Sequence, residues 1–137
     1  MLRIAPWEQT KWITLSSCLF MIPSYYAYIR QFYIYSIILL ITTLVSINYW
    51  RDATYSWRRT LDLYVAKLTV TVFVSNGVYS IRHIPSIIIG YTSVFPLIYC
   101  YYLSDKYYKA NNPYWVLCHC VFHFVLTYET MLVIHNI

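Results

Sequence analysis

The stretch FYIYSIILLITTLVSINYW, residues 32–50, contains no charged side chain. Nineteen such residues approach the roughly 20 that an α-helix needs to cross the hydrocarbon core of a bilayer. A soluble core helix of that length would show a polar face, and this one shows only scattered hydroxyls. The rest of the chain repeats the pattern. Apolar stretches run from about Trp12 to Ile29, Leu61 to Ile81, Ile84 to Leu103 and Tyr114 to Ile134. Polar joints separate them at Arg30-Gln31, Arg51 to Thr60, Arg82-His83 and Ser104 to Pro113.

Composition excludes an ordinary soluble domain. Of 137 residues, 60% are hydrophobic and 11% charged, and mean hydropathy is +0.50. A globular domain carries about 25% charged residues to cover its outside. The expected fold is therefore all-α, a single membrane domain over residues 1–137 built as a polytopic bundle of about five transmembrane helices. Pro85 and Pro113 stand where helices begin, a position that tolerates a missing N–H. Pro23 and Pro96 fall inside spans and predict kinks. The first span does not read as a cleaved signal peptide: it lacks a strongly basic lead-in, and Tyr25 and Tyr26 crowd Ala27. Seventeen tyrosines fit headgroup-level rings or AT-rich coding, which would suit a viral or parasitic source.

Charge predicts the orientation. Five passes place the N-terminus, the second joint and the fourth joint together, with Arg3, Lys11, Arg51, Arg58, Arg59, Lys106 and Lys109. The opposite side has Arg30 and Arg82, and Lys67 snorkels toward the richer one. The positive-inside rule then predicts a cytoplasmic N-terminus and a C-terminus outside or in a lumen. Membrane lipids with anionic headgroups are partner enough for the net charge of +5, and no nucleic acid is needed. Cys18, Cys100, Cys118 and Cys120 lie within spans, without the spacing of a disulfide framework or zinc knuckle.

Polar residues at membrane depth are the informative ones, because each is costly unless it meets a partner. His119 and His123 are spaced i, i+4 on the last helix, and Thr127 and Thr130 continue their stripe. Thr42, Ser46 and Trp50 share one face of the second helix, while Asp62, Thr69 and Asn76 recur every seventh residue on the third. Alternating passes bring Ser46, Asp62, His119 and His123 to one level on the N-terminal side. A serine, a carboxylate and two imidazoles there could form a metal or proton-transfer site. The bland alternatives are hydrogen bonding between helices and, for Asp62, a carboxylate at a helix N-terminus, paired with Arg58 or Arg59.

That ordered set resembles the CREST superfamily of alkaline ceramidases, adiponectin and progestin receptors and Per1-like proteins. The family is a seven-helix bundle with Ser-x3-His late in helix two, Asp early in helix three and His-x3-His in the last helix. The resemblance covers about Ser46 to His123. It implies that His119 and His123 bind zinc, that Asp62 handles a zinc-bound water and that Ser46 steadies the oxyanion in lipid amide hydrolysis. Two departures stand out. Trp50 occupies the position of the family's first histidine, and the chain has about five spans rather than seven. The alternative is a non-enzymatic membrane protein: an organiser, a viral membrane component or a lipid-binding module. A channel is a weaker reading; Glu129 could line a pore, or pair with a tyrosine hydroxyl, but no filter or charge ladder supports conduction.

Overall fold

The computed structural model describes residues 2–137, which form six α-helices joined by short turns. They are α1 (Trp7–Ser17), α2 (Met21–Ile29), α3 (Tyr33–Trp50), α4 (Trp57–Ser80), α5 (Ile84–Lys109) and α6 (Tyr114–Asn136). No strand occurs among the described residues. The helices α3, α4, α5 and α6 are each long and apolar enough to cross a membrane, and the chain is a multi-pass membrane protein.

The first expected span is helical but divided, and neither of its helices is by itself long enough to cross a membrane. α1 and α2 are joined by a 3-10 turn over Cys18–Phe20. Pro23 explains the place: it has no N–H for the Leu19 carbonyl and its ring crowds that carbonyl, so the turn before it tightens. Pro96, by contrast, is accommodated within an uninterrupted α5. Three boundaries moved outward from expectation by four residues or more, one of them the start of α4 at Trp57 rather than near Leu61. α1 starts five residues early, directly after Pro6, and α5 continues to Lys109, so that Ser104 becomes helical.

Two turns use left-handed residues. Gln31 (φ 63°) and Asn111 (φ 53°) close α2 and α5. In each case the following N–H reaches back to the helix, from Phe32 to the Ala27 carbonyl at 2.8 Å and from Asn112 to that of Tyr107 at 2.9 Å. This closure satisfies end carbonyls and turns the chain sharply into the next helix.

The joints meet at two ends, as alternating passes require. At one end the N-terminal segment pairs with the α3–α4 joint, Ile4 N–H donating to Ala53 at 2.8 Å and Tyr55 N–H to Leu2 at 3.1 Å. Tyr108, from the end of α5, donates to the Ile4 carbonyl at 3.1 Å. At the other end Arg30 donates to the His135 carbonyl at 3.4 Å.

Inside, two apolar clusters lie at different levels. Ile13, Tyr49, Trp50, Trp115 and Val116 pack toward the first end, and Ala27, Leu39, Phe73, Val133 and Ile134 toward the second. The levels between them on α1, α3 and α6 carry the buried serines, threonines and His123. α3 and α6 form the interior, with a third of their apolar windows buried, against 11% for α4 and 6% for α5. α4 and α5 are joined by residues 81–83, of which Ile81 and His83 are extended, and the two helices do not approach one another; α6 lies behind both.

Candidate polar site

The heptad face of α4 forms three rungs against α3. Asp62 lies beside the Ser46 hydroxyl, Thr69 Oγ1 meets Thr42 Oγ1 at 2.7 Å, and the Tyr35 hydroxyl donates to Asn76 Oδ1 at 2.7 Å. Small hydroxyls and amides that bond across helices are the usual polar adhesive in lipid. Asp62 is the sixth residue of α4, beyond the first turn where the helix dipole is felt. Neither expected arginine pairs with it. Arg58 instead holds Asp52, at 2.9 Å.

The imidazole pair sits on α6 with the expected geometry. His119 and His123 pack edge to face, with ring centroids 4.8 Å apart. His123 is buried, and its Nδ1 lies 2.8 Å from Ser16 Oγ. Phe20 packs on the same ring at 5.3 Å. His119 Nδ1 is 3.4 Å from Ser104 Oγ, and the Trp50 indole stands edge-on to His119 at 4.9 Å.

Both serines have a second partner. Ser16 Oγ lies 3.0 Å from the Ile13 carbonyl and Ser104 Oγ 3.2 Å from that of Trp115. A hydroxyl has one hydrogen. If each serine gives it to the carbonyl, each histidine must carry its own proton on Nδ1. That tautomer leaves the Nε2 lone pairs available, the arrangement that orients ligating histidines.

The sequence reading gives α1 no part in the polar layer. That helix lies between α3 and α6, so Ser46 and His123 bond different neighbours: Ser46 Oγ meets Ser17 Oγ at 2.9 Å, while His123 meets Ser16. The polar residues of three helices thus reach one level through a fourth helix. The adjacent Ser16-Ser17 pair inside an apolar span was the available signal. Ser104 falls in a polar joint by sequence, and only the extension of α5 to Lys109 brings it beside His119. Thr127 and Thr130 bond carbonyls of their own helix, at 2.8 Å each, and do not extend the layer. The four cysteines are unpaired and half-buried.

Zinc in a catalytic site takes three protein ligands and water. Among the described residues no three His, Cys, Asp or Glu side chains converge. The imidazoles supply two nitrogens, and the aromatic edge against them is an indole, whose N–H is a donor only. The donor set does not fit a catalytic zinc.

Comparison with protein-family models, with curated proteins and with solved structures finds no match.

Proposed function

We propose that the protein is a non-enzymatic multi-pass membrane module that binds or organises lipid, with a polar layer arranged as in CREST hydrolases but serving as helix adhesive. The packing of Trp50 on His119 at 4.9 Å carries this reading. It puts an aromatic ring, not a third imidazole, against the pair. Serine, carboxylate and imidazoles are each engaged with a neighbouring helix.

Metal content of the purified protein tests it. Wild type should hold well under one zinc per chain and unfold at the same point with or without chelator. Trp50→His, which restores a third imidazole, should gain zinc. Near-stoichiometric zinc in wild type, lost in His119→Ala and His123→Ala, would overturn the reading. It would instead favour a residual metal centre on the two Nε2 atoms, with Asp62 and Ser46 beside it.

The N-terminal end is proposed to be cytoplasmic, because Arg3, Arg51, Arg58 and Arg59 gather there and short basic loops are retained inside. A glycosylation acceptor appended after Ile137 should be modified in microsomes. One appended before Met1 should not, and the reverse pattern refutes the orientation.

A further inference from the structure

The divergence of α4 and α5 leaves a cleft between them, about 190 Å³ in volume and floored by α6. Val74 and Val78 of α4, and Ile87 and Val94 of α5, line its walls. Glu129 lies on the floor. Its Oε1 is buried without a hydrogen-bond partner, and is the one such side-chain atom among the described residues. Of the other polar groups on the lining, Ser86 donates to Asn136 Oδ1 at 3.0 Å, Thr130 bonds its own helix, and Arg82 is exposed at the α4–α5 joint. Tyr91 lines the same cleft, but no tyrosine hydroxyl pairs with Glu129 Oε1.

An isolated carboxyl oxygen among apolar walls at membrane depth is costly, and such groups mark ligand or ion pathways. Asn136 marks one end of α6; Glu129, seven residues before it, lies about 10 Å deeper at 1.5 Å per residue. That depth is below the headgroups, so the partner must be able to enter hydrocarbon. The size decides which kind. A helix about 10 Å across fills roughly 120 Å³ per residue of rise, so the cleft would admit under two residues of one. At about 30 Å³ per water-sized group it holds roughly six groups of a slender chain, and the rest of a longer chain extends from its open side into lipid.

We propose that this cleft binds a single-chain amphiphile whose hydrogen-bond donor, a hydroxyl or an amine, meets the Glu129 carboxyl while its alkyl chain lies between α4 and α5. The site is separate from the imidazole layer and does not depend on how that layer is read.

Three eight-carbon probes test it on the full chain in lipid nanodiscs, with empty discs as the partition control: octane, 1-octanol and octylamine. The bound fraction should favour 1-octanol or octylamine over octane by about tenfold, the worth of one hydrogen bond to a buried acceptor. The larger advantage names the head group. Glu129→Leu should abolish the advantage, and Glu129→Gln, which keeps an acceptor oxygen, should retain it for octanol. Val94→Trp should block all three probes. Equal binding of octane and both polar probes overturns the proposal, as does an advantage that persists in Glu129→Leu. Disulfide-linked dimers through Val78→Cys in native membranes would also overturn it, since a second copy would then fill the cleft.

Discussion

The imidazole layer and the α4–α5 cleft lie in the same membrane core, yet they treat polar groups in opposite ways. In the layer, buried polar groups meet across helices: Ser16 with His123, Ser17 with Ser46, Thr42 with Thr69. In the cleft, Glu129 presents Oε1 to apolar walls and nothing in the chain answers it. Hydrocarbon offers no water to satisfy a buried group, so a partner within the bundle marks a structural role. The absence of one marks a place where something else arrives. On the proposed reading, Ser46, Asp62, His119 and His123 would act as helix adhesive and Glu129 as the recognition group.

The widest separation between the two regions should appear in stability. His123→Ala removes a buried ring packed on Phe20 together with its hydrogen bond to Ser16 Oγ, and should destabilise the fold by about 2–3 kcal/mol. Glu129→Leu removes an unanswered buried oxygen and should stabilise it by about 1–2 kcal/mol. Reversible unfolding in mixed SDS micelles measures both. If the two substitutions shift the midpoint in the same direction, the distinction between engaged and unanswered polar groups fails.

Much of the fold was legible because lipid makes the code simple. Length and apolarity alone placed α3, α4, α5 and α6, and the heptad Asp62, Thr69, Asn76 marked one polar face of α4, which the structure turns to α3. The site was legible only to the level of depth. Parity aligned Ser46, Asp62, His119 and His123 along the membrane normal but said nothing about lateral neighbours. The insertion of α1 between α3 and α6 is a lateral fact, set by side-chain packing rather than by pass number. The cleft was invisible for the same reason. Two helices joined by a three-residue joint are expected to pack together, and their divergence shows only in three dimensions.

The smallest effect concerns polar groups of a third kind, answered but wet. At the end where the N-terminal segment meets the α3–α4 joint, Asp52 lies 2.9 Å from Arg58 and 3.7 Å from Arg3. The hydrogen bond from Arg58 holds its carboxyl below the usual aspartate range, and the charges of Arg58, Arg3 and Arg51 act in the same sense. A depressed folded-state value means that stability is fully present above the unfolded value of about 3.9 and is lost as pH falls through the folded one. Because the pair is open to water, the contribution is modest and weakens with salt. Asp52→Asn should therefore flatten the unfolding midpoint against pH below about 4 while leaving Glu129→Leu as stabilising as before. An acid limb unchanged in Asp52→Asn would assign the acid sensitivity to another carboxyl. That outcome would leave water-facing ion pairs at this end without a measurable role, and partnering would matter only where lipid excludes water.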